Sequence, residues 1–239
     1  RNLQGREVLL AARLLSEYMH DAIQEGKSLW IAQREGRSKD STDKTQPALL
    51  KMLALGAQTK DPEQALSPLS IVPVTCSYEY DPCDYLKAQE MQLKRDVEGF
   101  KKSPSDDGIN MRTGIFGWKG EVSFHIGRPL SELIVLGEVP LERPLSVESI
   151  ASLIDREIHS HYKLFPINYI GVEHHYGAYT EEDKSRVLQY IESRIELVRL
   201  PEGLEPDQEF LRRCLLMMYA NPVLSKLKTE LETRANQRP

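Results

Sequence analysis

The residues best equipped for chemistry stand together in the run Arg34-Glu-Gly-Arg-Ser-Lys-Asp-Ser-Thr-Asp-Lys44. Arg34 and Arg37 offer planar guanidinium forks that match a phosphate, and Lys39 adds a point charge. Gly36 lets the backbone approach a ligand closely, and Glu35 can orient a neighbouring guanidinium. A solvated turn laced with salt bridges accounts for the same composition equally well. Elsewhere the chemistry is sparse. Of the six histidines, the pairs His159-x-His161 and His174-His175 show no cysteine or carboxylate at a spacing that stands out, so neither a metal nor a cofactor is expected. Cys76, Cys83 and Cys214 form no Cys-x-x-Cys pair, and three reduced thiols fit a cytoplasmic protein. No Gly-x-Ser-x-Gly elbow occurs, which removes the signature of an α/β hydrolase.

The elements that must carry this loop follow from periodicity. Val8, Ala12, Leu15, Met19 and Ile23 recur at helical spacing, giving a helix over 5–26 that Gly26 stops. Residues 28–33 form a short apolar run of strand length that leads into the charged loop. Open α/β sheets place ligand sites at such strand ends. Pro47 then starts a helix, with Gly56 as its expected cap. Residues 69–78 are β-rich but hold Pro73, which cannot donate to a ladder and so marks an edge or an irregularity. A charged helix is expected over 83–101, a glycine-rich loop over 106–120, a strand over 121–126 and a further strand over 133–139. From Ser146 onward four helices are expected, over 146–163, 181–199, 207–219 and 223–234, separated by prolines and glycines. The expectation is a mixed α/β domain over 1–145 and a helical domain over 146–239.

These segments together resemble a known family. Arg34 to Asp40, followed by Thr45, Pro47 and Leu50, looks like the third conserved block of the glycerol-3-phosphate and 1-acylglycerol-3-phosphate acyltransferase family, the bacterial glycerolipid acyltransferases. The apolar strand Ile71-Val-Pro-Val-Thr-Cys-Ser-Tyr-Glu79 is similar to the fourth block. Arg1 matches the arginine that closes the second block, and Gly120 to Pro129 fits the strand that follows in these enzymes. The resemblance implies a mixed-sheet acyltransferase-type fold and acyl transfer in phospholipid biosynthesis. The acyl donor would be an acyl-CoA or acyl-carrier-protein thioester, and the acceptor glycerol 3-phosphate or lysophosphatidate. Carried over, Glu35, Gly36 and Arg37 are the acceptor-binding residues, with Arg1, Ser38 and Pro73 beside them.

One departure bears on activity. The family places a His-x4-Asp base before these blocks, yet no histidine here is followed by aspartate five positions later. That block is therefore expected upstream of Arg1, with this chain inactive by itself. The alternative is a catalytically silent relative that binds lipid or protein partners. The balance of 31 Lys+Arg against 36 Asp+Glu, a net charge of -5, excludes a polyelectrolyte partner for nucleic acid. No apolar run reaches the about 20 residues of a membrane-spanning helix. Membrane contact would be peripheral, on the cytoplasmic face, through a patch such as Lys101, Lys102, Arg112 and Lys119.

Overall fold

The structure, a computed structural model, describes residues 5–33, 39–136, 144–172 and 178–236. In chain order the elements are α1 (Arg6–Gln24), α2 (Pro47–Ala54), α3 (Pro62–Leu66), β1 (Val74–Tyr78), α4 (Asp84–Asp96), α5 (Pro104–Phe116) and β2 (Val122–Ile126). There follow α6 (Leu130–Leu136), α7 (Val147–Ser160), α8 (Pro166–Gly171), α9 (Glu181–Ile195) and α10 (Gln208–Asn236). The two strands pair antiparallel, with Val74 opposite Ile126 and Tyr78 opposite Val122.

Two hydrophobic clusters hold the helices. In the first, Leu50 and Leu53 of α2 meet Leu130 and Ile134 of α6 and the Ile150–Ile154–Ile158 stripe of α7. In the second, Ala88 of α4 packs with Ile167, Ile191, Leu211 and Leu215 from α8, α9 and α10. Each fully buried Leu or Ile among them contributes about 1.5–3 kcal/mol. Both clusters draw residues from either side of position 145.

Where local signals were clean, the elements follow them. Gly26 takes a positive φ of 78° and ends α1. Ser146 caps α7 by accepting from the Ser149 N–H, and Thr180 caps α9 through Asp183 N–H. Gly56 has a different job from the cap assigned to it. A Cβ there would stand 2.8 Å from the Glu17 backbone nitrogen, so α1 crosses α2 at its end. Ser16 fastens that crossing, donating to Leu53 O at 2.7 Å and accepting from Gly56 N at 2.8 Å.

Four expectations need correction. The segment 106–120, read as a loop, is mostly helix: Asp106 accepts the Ser103 N–H at 2.8 Å, so a capping box starts α5 and offsets Gly108 and Gly114 within it. The strand expected from Leu133 is the helix α6, because Leu130, Leu133 and Ile134 share one face toward the core; residues 137–139 lie outside the described residues. The two C-terminal helices are one, α10, which runs through Pro222. The run 28–33 forms no strand, since no described strand lies beside it, and Trp30 is left 79% exposed.

The ribbon is inverted. Its inner face carries Thr75 and Ser77, both buried, and its outer face carries Cys76, Tyr78, Val122, Phe124 and Ile126. Polar groups face inward because they find partners there. Thr75 Oγ1 donates to Ile158 O at 3.2 Å, and Ser77 Oγ accepts from Lys163 N at 3.1 Å. The outer face stays open, with Phe124 64% and Ile126 74% exposed.

Candidate functional site

The charged loop leaves the fold at Gln33 and returns at Gln46, where the Gln46 N–H donates to Gln33 O at 3.0 Å. That bond closes the loop at its base. Of the residues expected to bind the acceptor, Arg1, Glu35, Gly36, Arg37 and Ser38 lie outside the described residues. Pro73 is described: it is buried immediately before β1, and its carbonyl accepts from Gly127 N at 2.9 Å. It ends the ladder rather than interrupting it, which reconciles a proline with a β-rich segment.

The returning limb of the loop, Lys39 to Thr45, is fixed by three helices. Asp43 O meets His159 Nε2 at 2.8 Å, and Asp43 Oδ2 accepts from Tyr162 OH at 2.7 Å. Burial and the Asp43 carboxylate push the Tyr162 phenol well above its ordinary range, so it stays a donor. Thr45 N donates to Asp155 Oδ1 at 2.7 Å, and Asn221 of α10 donates to Asp40 O. Burial raises the Asp155 carboxyl despite the Thr45 donors.

Lys39 reaches α4, where its ammonium bonds Glu90. Glu90 is only 5% exposed as a side chain and also receives Lys94 at 3.1 Å and Lys102 at 2.7 Å. Three ammonium groups thus gather around one buried carboxylate. The arrangement stands at the foot of a loop that itself carries Arg34 and Arg37. Chemically it suits an anion held by charge and by donors, not a reaction needing a base. Sequence reasoning found Lys39, placed Lys102 only in a membrane-facing patch, and missed Glu90 and Lys94. The Glu90–Lys94 spacing of one helical turn was the readable signal.

A second polar node lies deeper. Asp84 at the start of α4 is fully buried and accepts from Arg194 Nε at 2.6 Å, Tyr190 OH at 2.8 Å and Tyr219 OH at 2.8 Å. Tyr219 also takes the Asp81 N–H at 2.9 Å. Both phenols are raised above their usual range, by burial first and the facing carboxylate second. Every member is partnered, so this node ties α4 to α9 and α10 rather than presenting a ligand.

Among the described residues no helix is long and apolar enough to cross a membrane. The chain matches no family model, no curated protein and no solved structure.

Proposed function

We propose that this chain supplies the acceptor-phosphate site of a glycerolipid acyltransferase with a mixed-sheet, acyltransferase-type fold. The observation that carries the reading is the closed loop: its sequence holds the Glu35-Gly36-Arg37-Ser38 block, and its returning limb brings Lys39 to the Glu90 that Lys94 and Lys102 also bond. The acceptor's phosphate is the ligand, as glycerol 3-phosphate or lysophosphatidate. In the full reaction the acceptor hydroxyl oxygen adds to the thioester carbonyl of an acyl-CoA or acyl-carrier protein. Its proton passes to a base, the carbon–sulfur bond breaks, and the thiol leaves. No His-x4-Asp of this chain can provide that base. Its own residues do the binding and the charge neutralisation.

Calorimetric titration of the chain with glycerol 3-phosphate and with lysophosphatidate tests the reading. Arg37→Ala should weaken both roughly ten- to hundredfold, the value of losing one charge-assisted phosphate contact. Equal affinity in the wild type and Arg37→Ala, or no binding by the wild type, sinks the assignment. A second reading, a silent relative that binds lipid or protein partners, is favoured by the open apolar face of the ribbon around Phe124 and Ile126. Binding that leaves the loop variant unaffected and responds instead to Phe124→Ser would select it.

A further inference from the structure

His125 on β2 and Glu157 and His161 at the end of α7 bring one potential ligand atom each to within 4.8 Å of one another. Glu157 and His161 stand four residues apart, one helical turn, and so share a face. The ribbon delivers His125 to them. Thr75, its cross-strand partner, is bonded to Ile158 O at 3.2 Å. Gly127 lets β2 close down on the carboxylate, since a Cβ there would sit 2.9 Å from Glu157 Cγ.

We propose that His125, Glu157 and His161 form a divalent-metal site, for zinc by its donor set, which pins β2 to the C-terminal end of α7. Two imidazoles and one carboxylate are a three-ligand zinc set that leaves a fourth position for solvent. The carboxylate is held in advance. Glu157 is 3% exposed as a side chain, accepts Arg128 N at 2.9 Å on one oxygen and Arg128 Nη2 at 3.1 Å on the other. Each oxygen keeps a further lone pair for a metal. His161 Nδ1 lies 2.8 Å from Glu157 O. A carbonyl only accepts, so Nδ1, which also stands 3.7 Å from Glu157 Oε1, carries a hydrogen, and a metal would be taken on Nε2, the outer-sphere arrangement that metal-bound histidines use.

The two imidazoles stack at 3.8 Å between centroids with planes 6° apart. Ligands of a tetrahedral zinc lie about 3.3 Å apart, given bonds of about 2.0–2.1 Å. Loading therefore requires the rings to tilt until their lone pairs converge. The guanidinium of Arg128 adds a positive charge beside the site and holds the affinity below that of a thiolate-rich site.

The test is titration of chelator-stripped full chain with zinc alone, followed by calorimetry, and with cobalt, followed by its visible absorption. One equivalent should bind the wild type and raise its melting temperature. His125→Ala and His161→Ala should each weaken binding roughly 100-fold or more. Cys76→Ala, whose thiol is on the opposite face of the ribbon, should change nothing. Circular dichroism of His125→Ala without metal should match the wild type, since that ring is partly exposed. The proposal is overturned if the wild type shows no saturable binding, if His125→Ala binds as tightly as the wild type, or if Cys76→Ala abolishes binding.

Discussion

Asp84 shows how much depends on single atoms. A carboxylate with no exposure is tolerable because an arginine and two phenols spend their donors on it. Removing one partner leaves the charge buried and the rest of the network short. Arg194→Met should therefore destabilise the fold by about 3–5 kcal/mol, whereas Tyr219→Phe should remove about 1–3 kcal/mol through one lost bond and an orphaned Asp81 N–H. Urea unfolding measures both. A loss under about 1 kcal/mol for Arg194→Met would mean that Asp84 reaches water once its partner is gone. The lysine-ringed Glu90 differs in kind. Its partners are long, flexible side chains, with Lys94 half in solvent, so it tolerates a rearrangement that the Asp84 node does not.

Glycines separate packing from propensity at the level of elements. A Cβ on Gly171 would lie 2.6 Å from Leu216 O and 3.0 Å from Ala220 N, so α8 lies directly on the backbone of α10. Gly108 within α5 has no such neighbour within 4 Å. The two Ala substitutions should thus differ in sign: Gly171→Ala destabilises by about 1–3 kcal/mol, and Gly108→Ala stabilises by about 0.5–1 kcal/mol. Thermal unfolding of the pair decides it, and a stabilised Gly171→Ala would contradict the close approach. The same contrast explains what could be read in advance. Helices with an apolar stripe and a cap, such as α1, α7 and α9, were legible because both signals are local. The helix α5 was hidden by its glycines, although the Ser103–Asp106 capping box announced it. Pro222 misled in the opposite sense, because packing against α8 carries α10 past it, with Asn168 Nδ2 donating to Tyr219 O at 2.9 Å. At the candidate sites the loop itself was legible, but its partner Glu90 and the meeting of His125 with Glu157 depend on tertiary placement that no spacing encodes. Glu157, one turn before His161, was the readable part of that cluster and was overlooked.

For the whole molecule the titration of tyrosines sets an upper limit in pH. Tyr78 is pushed up to about 12, chiefly by its bond to Cys76 and by burial. Tyr162, Tyr190 and Tyr219 are raised further by burial and nearby carboxylates. In the unfolded chain these phenols ionise near the ordinary value of 10.0. Above it the unfolded state binds fewer protons than the folded one, so stability falls as pH rises. Below pH 10 their contribution is complete. Denaturant midpoints should be unaffected by these groups up to about pH 10 and decline beyond it, with Tyr219→Phe showing a shallower decline. A midpoint that holds level through that range would mean that the phenols reach solvent in the native state. The inverted ribbon has its own consequence for how the molecule forms. Its strands are separated by α4 and α5, so Tyr78 and Val122 must find each other across both helices. Helical turns close in about microseconds, while a ladder between distant segments waits on the closing of the long loop between them. Pairing of the ribbon therefore waits on a loop that contains both helices, and its apolar outer face is exposed before the strands meet and after.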